Sequence, residues 1–108
     1  MTTSILNQTR KNIKELKVKV FRLQAELEIA TGDEYNAIID ELRESRQELN
    51  RLNDFFDNEI KKLSREKYVE NCIYLHYARG YSWKEIAIDI GGGNTEDSVR
   101  KMCSRYVW

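Results

Sequence analysis

Apolar and small side chains recur at alternating spacings of three and four residues along most of the first 63 positions. This spacing is that of a heptad seam, the stripe by which one helix packs against another. The first run extends from Leu6 to Ala30 and the second from Tyr35 to Leu63. Because the 108 residues include no proline, neither run contains the residue that most strongly breaks a helix. The pattern predicts two long helices and an all-α fold.

A short segment, Thr31-Gly32-Asp33, separates the two runs. Glycine readily takes the left-handed conformation at a helix end, and aspartate is a good cap for the helix that follows. We therefore predict an antiparallel hairpin, a coiled coil of residues 1–63. Charge favours the same pairing, because residues 1–30 carry six basic and three acidic side chains, and residues 33–63 carry five basic and nine acidic ones. Folding about residue 32 sets Lys17 near Glu48 and Arg10 near Asp54.

A second apolar stripe lies on the face of the first helix opposite its heptad seam. A helix that is apolar on two faces is normally buried on both, and the second helix of a hairpin covers only one. Contact with the C-terminal half of the chain is one explanation. We expect instead a homodimer, built as a four-helix bundle through the four oligomerisation residues Val18, Phe21, Ala25 and Ile29.

Residues 64–108 lose the long heptad pattern and predict three short helices. Ser64 is the expected cap of a helix that ends near Arg79-Gly80, and Ser82 is the expected cap of the next. Three short helices with a glycine turn before the last describe a helix-turn-helix, so we assign residues 64–108 to a second domain. The predicted second and third helices extend from Trp83 to Ile90 and, after Gly91-Gly92-Gly93, from Asn94 or Thr95 to about Tyr106.

The motif within this region resembles region 4 of sigma-70-type factors, and in particular small phage and prophage regulators of that type. The resemblance covers about residues 66–108. It departs from the family at the turn, because Val99 lies eight positions after Gly91, two more than in the family's pattern. The residues that carry it are Ser82-Trp83-Lys84-Glu85-Ile86-Ala87, then Gly91-Gly92-Gly93-Asn94-Thr95, then Ser98-Val99-Arg100-Lys101.

The resemblance implies a DNA-binding transcriptional regulator in the cytoplasm of a bacterial host, with promoter or operator double-stranded DNA as its partner. The last helix would enter the major groove. An alternative is a coiled-coil adaptor that binds RNA polymerase or another protein. A third is a phage packaging recognition subunit, although that family places its DNA-binding part first. The expected DNA-binding residues are the polar and basic positions Ser82, Lys84, Asn94, Thr95, Ser98, Arg100, Lys101 and Arg105.

Enzyme and cofactor interpretations find little support in the sequence. His76 is the only histidine, and Cys72 and Cys103 show neither metal-ligand spacing nor a histidine–acid arrangement. Gly91-Gly92-Gly93 is not followed by the Gly-Lys-Ser/Thr of a nucleotide-binding loop. No run of 18 apolar residues occurs. We expect no enzymatic activity, no cofactor, no metal, no small-molecule substrate and no membrane partner.

Overall fold

The computed structural model describes all 108 residues, and its regular secondary structure consists of helices alone. Its five helices are α1 (Thr3–Leu27), α2 (Gly32–Lys61), α3 (Tyr68–Tyr77), α4 (Trp83–Ile90) and α5 (Glu96–Arg105). The prediction of an all-α fold, with two long helices followed by three short ones, is confirmed. None of the five helices is both long enough and apolar enough to cross a membrane.

The turn between the long helices is built as the sequence predicts, with one difference. Gly32 has φ +62°, the left-handed conformation expected of a glycine at this place. However, α2 begins at Gly32 itself, so Asp33 lies inside the helix rather than before it. There its carboxylate, with that of Glu34, lies in the first turn, where negative charge interacts favourably with the helix dipole.

The chain forms two compact units that do not coincide with the predicted boundary at residue 63. One unit is residues 8–56, and the other combines residues 1–7 with residues 57–108. Within the second unit, the hydroxyl of Tyr77 in α3 donates a 2.6 Å hydrogen bond to Oδ1 of Asn7 in α1. A heptad pattern shows which positions of a helix are buried but not which helix covers them. The periodicity therefore does not reveal that the start of α1, up to Asn7, belongs to the same unit as residues 57–108.

Unit 8–56 is a pair of antiparallel helical segments held by the predicted heptad seam. Leu23, Ile38 and Leu42 form its buried cluster, while Tyr35, also predicted on the seam, is 43% exposed. Tyr35 lies in the first turn of α2, where the seam ends. The partly buried residues packed against the cluster are Val20, Leu27 and Ala30.

The ion pair seen between these two segments is not one of the predicted pairs. Lys19 Nζ lies 3.3 Å from Glu41 Oε1, whereas folding about residue 32 would set Lys19 opposite residue 45, one helical turn away. Glu48, the predicted neighbour of Lys17, instead forms an ion pair with Arg51 of its own helix. Exposed pairs of this kind contribute only a few tenths of a kcal/mol. The packing of the seam, not the charge pairing, therefore sets the register.

The second unit contains the three short helices, which pack on one another. Ile73, Ile86, Val99 and Cys103 are almost completely buried between them. Ile86 and Val99 confirm the predicted inward faces of α4 and α5.

The prediction that Ser64 caps α3 is wrong. α3 begins at Tyr68, and Lys67 stands at the capping position without a side-chain hydrogen bond. The Ser64 N–H instead donates a 3.0 Å hydrogen bond to the carboxylate of Glu70, and its Oγ accepts from the Glu66 N–H. The side chain of Glu70, within α3, therefore binds a backbone N–H of the segment that precedes the helix.

Candidate nucleic-acid interface

A five-residue turn, residues 91–95, connects α4 to α5. Gly91 is the C-cap of α4 with φ 69° and ψ −153°, and Gly92 and Gly93 also have positive φ. Side chains with a Cβ rarely adopt such angles. The three consecutive glycines therefore allow the chain to end α4 after Ile90 and to turn before α5, as the sequence predicts.

The residues after the glycines fix the start of α5. Asn94 Nδ2 donates a 2.8 Å hydrogen bond to the Gly91 carbonyl oxygen. Thr95 is the N-cap: its Oγ1 accepts from the Ser98 N–H at 3.1 Å, and Ser98 Oγ accepts from the Thr95 N–H at 2.9 Å. This capping box satisfies two backbone donors at the helix end. Asn94, Thr95 and Ser98 are exposed, but their hydrogen bonds already hold the turn, which suits them to positioning α5.

α5 has a buried face and an exposed basic face. Val99 and Cys103 are buried in the core of the unit. Arg100, Lys101 and Arg105 are all exposed, as the predicted stripe requires. The helix therefore presents its basic side chains to the surroundings.

Charge is distributed unevenly along α5. Glu96 and Asp97 lie in its first turn and Arg105 in its last, an arrangement that the helix dipole favours. Arg100 forms an ion pair with Asp97 one turn earlier in the same helix. Neither Lys101 nor Arg105 forms an ion pair. These two side chains carry the positive charge most available to an outside partner.

The two DNA-binding residues predicted on or before α4 differ in their availability. Lys84 is exposed in the first turn of the helix. Ser82 caps α4, because its Oγ accepts from the Glu85 N–H at 3.0 Å and donates to Glu85 Oε1 at 3.1 Å. The prediction that Ser82 caps this helix is confirmed. Trp83 stacks on His76 of α3, with ring centroids 3.8 Å apart, which holds α4 against α3.

One residue that positions α5 was missed by sequence reasoning. Glu70 is a buried carboxylate in the first turn of α3, and Tyr106, the C-cap of α5, donates a hydrogen bond to it. The hydrogen bonds from Tyr106 and from the Ser64 N–H, together with the positive charge of Lys67, hold the pKa of Glu70 below its usual value. The only signal in the sequence was an acidic residue between the apolar side chains Val69 and Cys72.

The four predicted oligomerisation residues are exposed. Val18 is 64% exposed, Phe21 75% and Ile29 85%, and Ala25 is exposed as well. The second apolar stripe of α1 therefore remains uncovered.

The fold and this surface define a small all-helical protein in which three short helices follow two long ones and the last helix has an exposed basic face. Comparisons with protein-family models, with curated proteins and with solved structures find no match for the chain. The resemblance to sigma region 4 therefore stays a prediction from the motif. No group of His, Cys, Asp and Glu side chains is arranged to hold a metal ion.

Proposed function

We propose that this protein is a sequence-specific regulator of transcription that binds double-stranded DNA through α5. The observation that supports this most directly is the exposed basic face of α5, on a helix that follows a five-residue turn and whose other face is buried. A helix-turn-helix commonly inserts its second helix into the major groove. The resemblance suggests promoter or operator DNA of phage or prophage genes in a bacterial host.

In this proposal the residues of the motif have separate roles. Lys101 and Arg105, which form no ion pair, contact phosphates and supply affinity for any sequence. Arg100 breaks its ion pair with Asp97 and recognises a guanine, since arginine can donate two hydrogen bonds to the major-groove edge of that base. Lys84, exposed on α4, adds a phosphate contact. Asn94, Thr95, Ser98 and Ser82 hold the two helices in position.

The test is a binding titration on a DNA site selected from a random double-stranded library, at two salt concentrations. Lys101→Ala and Arg105→Ala should each weaken binding to all sequences and lower the salt slope by about one unit. Matched controls are Lys61→Ala and Arg46→Ala, which remove exposed basic residues of α2 and should bind like wild type. If Lys101→Ala and Arg105→Ala also bind like wild type, α5 is not the DNA-binding element.

A second arm uses the ion pair within α5. Asp97→Asn removes a negative charge that binds Arg100 and would face phosphate. We expect tighter binding and a steeper salt dependence, and Asp40→Asn is the control because it breaks the equivalent pair with Arg43 in α2. Unchanged binding by Asp97→Asn would argue that Arg100 does not approach DNA.

A protein-binding adaptor is the second candidate, and two observations favour it. Ile88 on α4 is 71% exposed, and an isoleucine gains more from an apolar protein surface than from DNA. Glu96 and Asp97 are exposed at the end of α5 that would meet phosphates. An adaptor predicts no specific DNA site for the isolated protein. It also predicts binding to purified bacterial RNA polymerase that Ile88→Lys abolishes and Lys101→Ala does not.

A further inference from the structure

The exposed stripe on α1 has an internal arrangement that fits a second copy of itself. Its four residues are spaced by three, four and four positions, so Val18 and Ile29 stand at the two ends and Phe21 and Ala25 between them. Val18, Phe21 and Ala25 lie in α1, and Ile29 lies two residues beyond its end. A large and a small side chain therefore occupy the middle of the stripe.

We infer that the protein forms a two-fold dimer in which the α1 stripe packs antiparallel on the same stripe of a second copy. Around an axis that passes between Phe21 and Ala25, each Val18 meets the Ile29 of the second copy. Each Phe21 then meets the Ala25 of the second copy, so the bulky ring enters the space left by a methyl group. A two-fold interface requires this kind of self-complementarity.

Charge beside the stripe selects the antiparallel direction. Lys17 directly precedes Val18 at one end of the stripe, and Glu28 directly precedes Ile29 at the other. Both are exposed, and neither forms an ion pair within the chain. Antiparallel packing sets each Lys17 beside the Glu28 of the second copy, whereas parallel packing would place lysine against lysine and glutamate against glutamate. Complementary charges of this kind set partner choice and orientation.

The same asymmetry continues beyond the stripe. Lys11 and Lys14 are exposed on the N-terminal side of Val18, and Asp33 and Glu34 are exposed in the first turn of α2. Each copy therefore carries a basic segment and an acidic tip on either side of the apolar residues. An antiparallel partner brings the basic segment of one copy to the acidic tip of the other. Each copy therefore carries both of the complementary charged surfaces that a two-fold interface needs.

The oligomeric state is the first test, measured by sedimentation equilibrium of the full chain at tens of micromolar. The wild type should be a dimer and the double variant Phe21→Lys, Ile29→Lys a monomer with unchanged helical circular dichroism. Ile88→Lys is the control, because it adds the same charge at an equally exposed apolar position on α4 and should remain dimeric. A monomeric wild type, or a dimer that survives the double variant, would overturn the inference.

Disulfide cross-linking tests the direction. In the antiparallel dimer each Val18 lies five residues from the axis, so the two Val18 residues lie about 15 Å apart along the helices, at about 1.5 Å per residue, beyond the reach of a disulfide. Oxidation of Val18→Cys alone, or Ile29→Cys alone, should give no covalent dimer, while a mixture of the two should give one. Covalent dimers of Val18→Cys alone would show parallel packing. The wild type, whose two cysteines are buried, controls for background.

A charge exchange tests the flanking contact independently of the apolar residues. Lys17→Glu and Glu28→Lys should each weaken the homodimer, because each brings like charges together. An equimolar mixture of the two variants should form a heterodimer tighter than either homodimer. Variants that dimerise like wild type alone and in mixture would place Lys17 and Glu28 outside the interface.

Discussion

The hydroxyl of Tyr106 donates a 2.5 Å hydrogen bond to Oε2 of Glu70 and so joins the end of α5 to the first turn of α3. The same carboxylate accepts a hydrogen bond from the Ser64 N–H. A buried carboxylate is costly unless it is paired, and these donors satisfy both of its oxygens. The bond also raises the pKa of Tyr106 and lowers the pKa of Glu70, because it favours the neutral phenol and the charged carboxylate.

The hydrogen bond between Glu70 and Tyr106 should make the free energy of unfolding depend on pH. The contribution of Glu70 is fully present above its ordinary pKa of 4.5 and is lost as the pH falls through its lowered value in the folded protein. That of Tyr106 is fully present below its ordinary pKa of 10.0 and is lost as the pH rises through its raised value.

We expect Glu70→Gln and Tyr106→Phe to unfold more easily than wild type at neutral pH. The deficit of Glu70→Gln should shrink in acid. Urea unfolding across the pH range measures this, with Glu66→Gln, an exposed neighbour, as the control. A deficit for Glu70→Gln that does not change between neutral and acidic pH would contradict the pairing.

Ala87 should not tolerate a larger side chain. It is buried in α4, where added methylene groups have no space, and overpacking typically costs about 1–3 kcal/mol. Ala87→Leu should therefore destabilise the unit of the three short helices, as measured by chemical unfolding followed through the fluorescence of Trp83 and Trp108, which both belong to this unit. Ile88→Leu is the matched control, because the next position is exposed and should change little. Equal stability of Ala87→Leu and wild type would show that α4 packs differently.

Gly91 should be required for its backbone angles and not for space. Its φ of 69° and ψ of −153° lie in a region that only glycine occupies readily, at a cost of about 1–3 kcal/mol for other residues. Apart from Gly91 and its chain neighbours, no atom lies within 4 Å of an added Cβ, so contact with the rest of the protein plays no part. Gly91→Ala should unfold at lower urea than wild type, and Asp89→Ala, in α4, should not. If the two variants were equally stable, the turn would have another conformation.

The two cysteines should be unreactive in the folded protein. Both are buried, and burial, with the neighbouring Cys72 thiol, raises the pKa of Cys103 to about 12. Thiolates are the reactive form, so a thiol reagent at about pH 8 should label neither cysteine until denaturant is added. Ile88→Cys, at an exposed position of α4 outside the proposed dimer interface, should label at once. Immediate labelling of the wild type would mean that the core of the second unit opens readily.

The sequence by itself determined the helices and most of their ends. Heptad spacing predicted the two long helices, and Ser82, Gly91 and Thr95 predicted the limits of α4 and α5. These signals are reliable because the interactions behind them are local. A cap accepts a hydrogen bond from a backbone group three residues away, and a positive φ belongs to a single residue.

Only the tertiary structure decided which distant groups meet. Tyr106 and Glu70 are 36 residues apart and Tyr77 and Asn7 are 70 apart, and no local pattern pairs them. For the same reason Ser64 was predicted as a cap, although its N–H is bound by a carboxylate six residues later. The exposure of Phe21 was also decided by packing, since periodicity shows that a helix face is apolar but not whether another part of the chain covers it.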